Sequence, residues 1–321
     1  MTTARAFWVA AAGRGEIREE ALPAAGTGDV LVRAMWSGVS RGTESLVFNG
    51  RVPESEWSRM RAPFQSGDFP APVKYGYASV GVVESGPAHL VGRTIFSLYP
   101  HQTHYVVPAE AVHELPEGLD PARAVLAANM ETALNGVWDA EVKPGDRVVV
   151  VGGGTVGCLV AWLAGRIPGC DVTLVDVNPL RASVAAALGV RFSASAAGMD
   201  ADVVLHTSGV PGGLAAALDA AAFEARIVEM SWFGAQAVTL PLGGAFHAKR
   251  LSIVSSQVGA VATSQRLRWT HARRMALALL LLTDDRLDAL VTGESPFEDL
   301  PGTMTRLAAG PSDVICHRIR Y

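Results

Sequence analysis

The amino-acid sequence predicts an α/β protein with two parts, a small β domain and a doubly wound parallel sheet. In the first 115 or so residues, short β segments alternate with glycine and proline, which is typical of a compact, barrel-like β domain. From residue 146 onward, apolar strands alternate with helices, which predicts a parallel sheet with helices on both faces. A chain of 321 residues is long enough for two such domains.

Hydrophobic period and turn residues place the elements of the first domain. Short apolar runs bounded by turn or charged residues predict strands at 30–36, 79–84, 94–98 and 105–108. The polar stretch 54–71 between them is predicted as a loop or a short helix. An Ala-rich segment with helical periodicity follows at 121–140, and the sequence pattern changes there from that of the first domain to that of the second.

The elements of the second domain alternate regularly along the chain. Strands are predicted at 147–151, 171–175, 203–206, 226–230 and 251–255, helices at 157–166, 180–188 and 213–222, and then a long helix at 269–282 and a closing strand at 314–320. The predicted division assigns residues 1–128 and 258–321 to the β domain and residues 129–257 to the parallel-sheet domain.

Composition excludes several classes of protein. Lys and Arg number 27 against 31 Asp and Glu, and this near-balance argues against a binder of nucleic acid. With 49% apolar and 18% charged residues the chain can bury a large core, which excludes disorder. The three cysteines form no CxxC pair, which favours a reducing, cytoplasmic location. No apolar run approaches the roughly twenty residues of a membrane span.

The sequence VVVVGGGTVG carries the strongest motif in the chain. Gly152, Gly154 and Gly157 match G-x-G-x-x-G, and the match follows an apolar strand and opens a predicted helix. Gly152 allows a tight turn, Gly154 lets the backbone approach a pyrophosphate, and Gly157 lets helix and strand pack closely. Thr155 and Val156 lie just before the predicted helix, whose N-terminal N–H groups and dipole favour phosphate. The motif predicts a dinucleotide site.

A carboxylate is expected about 20 residues after such a motif. Asp176 stands at the end of the next predicted strand, 19 residues after Gly157. Because a carboxylate accepts hydrogen bonds from ribose hydroxyls and repels a 2′-phosphate, Asp176 favours NAD over NADP. Arg181 keeps NADP open as the alternative, since its guanidinium can turn toward a phosphate.

Polar residues after the later strands complete the predicted nucleotide site. Ser208 and Gly209 follow the third strand, where a cofactor ribose is expected. Ser231 and Ser256 follow the next two strands, near the expected nicotinamide. The alternative interpretation is that these four residues only stabilise the loops in which they lie and do not contact a nucleotide.

Four motifs occur in a recognisable order along nearly the whole chain. They are SGVSRGTE at 37–44, YGYASVGVV at 75–83, VKPGDR at 142–147 and GGGTVG at 152–157. With these motifs the sequence resembles the medium-chain dehydrogenase/reductase superfamily of alcohol dehydrogenases and quinone reductases. The resemblance implies a GroES-like β-barrel substrate domain around a Rossmann domain, nicotinamide chemistry on a small-molecule substrate, and a homodimer.

The resemblance also locates the zinc ligands of the zinc-dependent members, and this sequence lacks them. The corresponding positions are Ser40, Tyr77 and Ala128. A hydroxyl is a poor zinc ligand, a phenol an unusual one and a methyl none, whereas catalytic zinc requires three protein ligands. We therefore expect no metal. The chain is similar to a zinc-lacking branch that contains bacteriochlorophyllide a dehydrogenase, from which it departs at Ala78, where a Glu is expected.

Without zinc, other groups have to stabilise the substrate oxygen and supply a proton. The candidates are the Tyr77 phenol, the Ser40 hydroxyl, Thr43 near the family's relay position, and His101, which aligns with pocket-lining positions. Tyr77 simply filling the space of the lost zinc is the alternative interpretation. His101 and His104 form an H-x-x-H pair, for which metal binding is a second alternative.

The sequence thus predicts a zinc-independent, NAD(H)-linked oxidoreductase. Its expected reaction transfers hydride between nicotinamide and an alcohol or carbonyl of a bulky apolar substrate. Two rival hypotheses stay open, an NADPH-dependent quinone or enone reductase of the same superfamily, and a nucleotide-binding sensor without catalytic activity.

Overall fold

The computed structural model describes residues 3–310 and 312–321, and the elements below are those of this part of the chain. The strands are β1 (Thr3–Ala11), β2 (Arg14–Ala21), β3 (Asp29–Val39), β4 (Ser66–Gly67), β5 (Val73–Lys74), β6 (Ser79–Ser85), β7 (Thr94–Ser97), β8 (His104–Pro108), β9 (Val112–Glu114), β10 (Arg147–Val151), β11 (Asp171–Val175), β12 (Arg191–Ser193), β13 (Ala201–His206), β14 (Ala221–Glu229), β15 (Ser252–Ser255), β16 (Val291–Pro296) and β17 (Cys316–Arg320). The α-helices are α1 (Arg41–Phe48), α2 (Ala127–Ala140), α3 (Thr155–Ala164), α4 (Arg181–Leu188), α5 (Pro211–Ala220), α6 (His271–Leu281) and α7 (Leu300–Ala308).

The described residues form two compact units. The first unit comprises the chain up to Ala128 together with Leu279–Asp284 and Val291–Tyr321, and the second comprises Asn129–Ala278 and Asp285–Leu290. No helix in the described part of the chain is both long and apolar enough to cross a membrane.

The division differs from the predicted boundaries at residues 258–278 and 285–290, which were predicted in the first domain and lie in the second unit. A buried contact explains the difference at 258–278. Arg274, which is only 1% exposed, donates to Glu131 Oε1 at 3.0 Å and to Asn135 Oδ1 at 2.6 Å, both on α2. Its third bond, to the carbonyl of Val258, ties the preceding loop to the same guanidinium.

Two antiparallel-rich sheets build the first unit. One has the order β2-β1-β5-β4, and the other has the order β16-β17-β3-β6-β7-β9, with β8 also paired to β3. The central strand β3 alternates buried and more exposed positions, so that Val30 and Val32 face a core that also holds Ile95, Tyr105 and Val107. Alternation of this kind is what a strand with one face on a core is expected to show.

The second unit is an open sheet with the order β12-β11-β10-β13-β14-β15, in which every pairing is parallel. Helices α3, α4 and α5 connect successive strands, as the alternating pattern predicted. In such sheets ligands bind beyond the carboxyl ends of the strands. That edge carries the turns after β10, β11, β13 and β14, where the predicted nucleotide residues lie.

Element boundaries differ from prediction by a few residues. Helix α3 begins at Thr155, two residues before the predicted start, because Gly154 already serves as its N-cap. The stretch 54–71 contains a single 3₁₀ turn, Glu54–Glu56, and the short strand β4, where the sequence predicted a loop or short helix.

Candidate functional site

The turn between β10 and α3 has a geometry that requires glycine. Gly152 has a φ of +113°, and a Cβ at this position would lie 2.6 Å from the backbone nitrogen of Ser208. A Cβ on Gly157 would overlap the carbonyl oxygen of Gly152, so only glycine lets α3 start this close to β10. A Cβ on Gly154 would meet nothing within 4 Å, which leaves its backbone open to a ligand. This cradle fits the pyrophosphate of a dinucleotide.

Asp176 lies directly against this glycine turn. Its Oδ2 accepts the N–H of Gly153 at 2.6 Å, and its Oδ1 accepts the N–H of Asn178 at 2.8 Å. A carboxylate held at this point can accept the ribose hydroxyls of an adenosine. Arg181 is only 4% exposed, and its Cγ would lie 3.0 Å from a Cβ at Gly153, so its side chain is buried beside the glycine turn. Thr155 and Val156, partly buried, form the first turn of α3 beside it.

The ends of β13 and β14 carry a hydrogen-bonded group that the sequence analysis recognised only in part. Ser208 Oγ lies 2.6 Å from His206 Nε2, and Glu229 Oε2 lies 2.7 Å from His206 Nδ1. Ser231 joins the group, because its N–H donates to Glu229 Oε1 at 2.6 Å and its Oγ accepts the N–H of Gly209 at 3.0 Å. The serines and Gly209 were predicted as nucleotide residues; His206 and Glu229 were not.

Ser256 is the predicted nucleotide residue that the structure places apart. Its backbone N–H donates to the carbonyl of Glu229 at 2.9 Å, but its hydroxyl faces α2, near Asn135 and Asp139. Its side chain therefore belongs to the packing of α2 against the sheet, and its hydroxyl is not part of the group around His206.

In the first unit, the structure brings three of the predicted catalytic residues together. The hydroxyls of Ser40 and Thr43, at the start of α1, lie close enough to the phenol of Tyr77 to favour its ionised form. Burial, reinforced by the nearby charge of Glu44, raises the pKa of Tyr77 to about 12, although the two hydroxyls act in the opposite direction. The phenol is therefore protonated at neutral pH. The ring as a whole is only partly buried.

His101, the fourth predicted catalytic residue, lies in a second layer behind this group. It is 1% exposed, and both ring nitrogens are bonded, Nε2 to Glu44 Oε2 at 2.9 Å and Nδ1 to Ser37 Oγ at 2.7 Å. Glu44 Oε1 in turn accepts the backbone N–H of Ser40 at 2.7 Å. Gly76 makes room for this arrangement, because a Cβ there would lie 3.0 Å from the imidazole.

Glu44 is thus the residue that links the two layers, and only its spacing from Ser40 could have indicated it from the sequence. It is 3% exposed and follows Ser40 by one helical turn. That spacing is close to a capping box, in which a carboxylate returns to the N–H of the helix N-cap. Glu44 makes this bond, and its second oxygen is left for His101.

The donor set at the positions predicted to correspond to the family's zinc ligands does not fit zinc. Ser40 supplies a hydroxyl and Ala128 a methyl, while the high pKa of Tyr77 opposes the phenolate that a metal would need. In the described residues, no three His, Cys, Asp or Glu side chains are grouped as metal ligands are. The H-x-x-H pair is also divided, since His101 is buried whereas His104 is partly exposed, 3.9 Å from Glu84.

Comparison with known proteins gives relatives that span most of the chain. No protein-family model matches it. D-guloside 3-dehydrogenase of Escherichia coli K12 is 26% identical over 301 residues, which cover 82% of this chain and 85% of that protein.

Solved structures show the same fold over the whole chain. L-idonate 5-dehydrogenase from Escherichia coli superposes with a TM-score of 0.81 at 17% identity, covering 100% of this chain and 99% of the other. A short chain alcohol dehydrogenase from Escherichia coli CFT073, crystallised with NADH, superposes with a TM-score of 0.77 at 16% identity and full coverage of both chains.

These neighbours confirm the predicted fold class, a GroES-like barrel domain together with a Rossmann domain. The glycine turn and the carboxylate beside it are consistent with NAD(P) binding. Sequence similarity over most of the chain and the shared fold together support placing this protein in the zinc-type medium-chain alcohol dehydrogenase-like superfamily.

Proposed function

We propose that the protein is an NAD(H)-linked alcohol dehydrogenase or carbonyl reductase that works without catalytic zinc. The observation that carries the proposal is the neutral phenol of Tyr77, close to the hydroxyls of Ser40 and Thr43. Tyr77 and Ser40 stand at positions predicted to correspond to zinc ligands of zinc-dependent members. A protonated phenol is a hydrogen-bond donor, and a donor is what a carbonyl oxygen needs as it gains negative charge.

The arrangement around Tyr77 can aim its proton at a substrate. A phenol oxygen can accept hydrogen bonds while its own O–H donates. When Ser40 and Thr43 both donate to the phenol oxygen, the phenol proton is directed to a third acceptor, which we propose is the substrate oxygen. Glu44 holds the backbone of Ser40, and His101 holds Glu44, so both are positioning residues.

The second unit would hold the cofactor with residues that fit it. The turn at Gly152 and Gly154 receives the pyrophosphate, Asp176 accepts hydroxyls of the adenosine ribose, and Ser208 and Ser231 lie on the nicotinamide side. When bound, NADH supplies the hydride that reduces a carbonyl carbon. We propose NAD over NADP because the Asp176 carboxylate, held against the glycine turn, repels a 2′-phosphate.

The reacting group we propose is a secondary alcohol and its ketone. The relative that spans most of the chain is named as a 3-dehydrogenase of a guloside, which carries such an alcohol on a sugar ring. The bulky apolar substrate expected from the sequence, the homodimer and the bacteriochlorophyllide-like branch stay predictions.

A turnover panel with chelator-treated protein tests the proposal. NAD⁺ or NADP⁺ would be offered with glycosides, polyols and bulky apolar secondary alcohols, and NADH or NADPH with the matching ketones, quinones and enones. We expect NAD(H)-dependent turnover of an alcohol and ketone pair. Turnover confined to NADPH with quinones or enones would favour the reductase alternative. Nucleotide binding without turnover of any substrate would favour the sensor.

A further inference from the structure

The group of polar side chains at the ends of β13 and β14 has a fixed hydrogen-bond polarity. Its centre is His206, which is fully buried and packs at 17° to the ring of Phe233, with 6.1 Å between centroids. Nδ1 faces Glu229 Oε2 at 2.7 Å, and Nε2 faces Ser208 Oγ at 2.6 Å. An acid, an imidazole and a hydroxyl therefore stand in one line.

With Glu229 ionised and His206 neutral, the acid end of this line sets the direction of both of its bonds. An ionised carboxylate only accepts, so the proton between Glu229 and His206 belongs to Nδ1. A neutral imidazole that donates from Nδ1 accepts at Nε2, so the hydroxyl of Ser208 donates to Nε2. The lone pairs of Ser208 Oγ are then left for incoming donors, and the N–H of Val210 already uses one direction at 3.2 Å.

Topology places Ser208 on the nicotinamide side of the cofactor site. In the sheet order, β10 lies between β11 and β13, so the glycine turn after β10 is flanked by Asp176 on one side and Ser208 on the other. A Cβ at Gly152 would lie 2.6 Å from the backbone of Ser208, which shows how near that residue is to the turn. A dinucleotide with its pyrophosphate at the turn and its adenosine ribose at Asp176 extends its other ribose over Ser208.

We infer that His206, fixed by Glu229, is a positioning residue that makes Ser208 Oγ a hydrogen-bond acceptor for a hydroxyl of the nicotinamide-side ribose. This inference rests on the proposed function, since it assumes that NADH binds at the glycine turn. It explains why a fully buried histidine and a nearly buried glutamate occupy strand ends that could hold apolar residues.

The substitution Glu229→Gln tests the inference with little change of shape. A glutamine can still accept the N–H of Ser231 through its carbonyl, but its amide donates to His206 Nδ1. The imidazole then carries its proton on Nε2 and donates to Ser208, whose own O–H turns outward. Ser208 becomes a donor, and its match to a ribose hydroxyl is lost.

The measurements are NADH and ADP affinities by titration, with nitrogen NMR of the imidazole to read its tautomer. We expect E229Q to move the proton of His206 from Nδ1 to Nε2 and to lower the affinity for NADH about tenfold, which is the effect of one hydrogen bond. ADP, which ends at the pyrophosphate, should bind wild type and E229Q equally. Damage to the fold would instead lower the affinity for both ADP and NADH. Ser208→Ala should lower the affinity for NADH when it is made in the wild type, but should have little further effect when it is made in E229Q.

Glu224→Gln is the matched control, since Glu224 lies on the same strand, pairs with Arg250 at the surface and should leave NADH affinity unchanged. Equal NADH affinity of wild type and E229Q would overturn the inference, as would an unchanged tautomer. A wild type that binds neither NADH nor ADP would overturn the proposed cofactor site itself, and the inference with it.

Discussion

Replacing Tyr77 with Phe removes one oxygen atom and should remove most of the catalysis. The phenol is the group that we propose donates to the substrate oxygen, and Ser40 and Thr43 are the hydroxyls nearest to it that act on its pKa. Loss of one positioned donor in an active site costs roughly 100- to 1000-fold in kcat. The Phe ring keeps its edge-on packing against Tyr75, at 5.9 Å between centroids, so KM for the substrate should change by less than about threefold.

The fold should survive this substitution. One lost hydrogen bond costs about 0.5–1.5 kcal/mol, against roughly 5–15 kcal/mol for the stability of a domain. Because the pKa of Tyr77 is raised to about 12, the phenol keeps its proton throughout the neutral range. The pH profile of wild-type ketone reduction should therefore show no change caused by ionisation of Tyr77 below about pH 11.

The assay follows NADH consumption with the best ketone of the panel. Tyr75→Phe is the control, because its phenol reaches only the carbonyl of Met60, at 3.4 Å, and it should retain wild-type kcat. The reasoning is refuted when Y77F keeps the wild-type kcat, or when only KM changes.

Three further predictions concern the second unit. Asp176→Ala should lower the affinity for NADH about tenfold and leave the affinity for NADPH unchanged or higher, as measured by fluorescence titration. An unchanged ratio of the two affinities would contradict the role of the carboxylate. Gly157→Ala forces a methyl onto the carbonyl oxygen of Gly152, and thermal unfolding should show a loss of at least about 1–3 kcal/mol together with weaker NADH binding. Arg274→Met leaves Glu131 buried without its cation and should cost about 3–5 kcal/mol in denaturant unfolding, most of which a second change, Glu131→Leu, should restore.

The nucleotide turn was predictable because its constraints are local. Gly152 and Gly157 are required by a left-handed φ and by close packing within one β-α unit, so spacing alone identifies them. Asp176 follows in the next strand at a fixed distance along the chain. The fold class follows from the same short-range periodicities, repeated over many elements.

The links between residues far apart in sequence were not predictable in this way. Glu44 and His101 meet across 57 residues, and His206 and Glu229 across 23, through side-chain bonds that no local pattern encodes. A buried histidine at the end of an apolar strand has many structural explanations. Only the position of its acidic partner on the neighbouring strand shows that it orients Ser208.

The central claim, catalysis without zinc, is tested most directly by measuring metal content and activity on the same sample. We expect protein prepared with chelator to contain well under one zinc per chain, and its NAD(H)-dependent turnover neither to fall with chelator nor to rise with added zinc. Stoichiometric zinc that is required for turnover would contradict it, and would show that the Ser40, Tyr77 and Ala128 positions do not report on the metal.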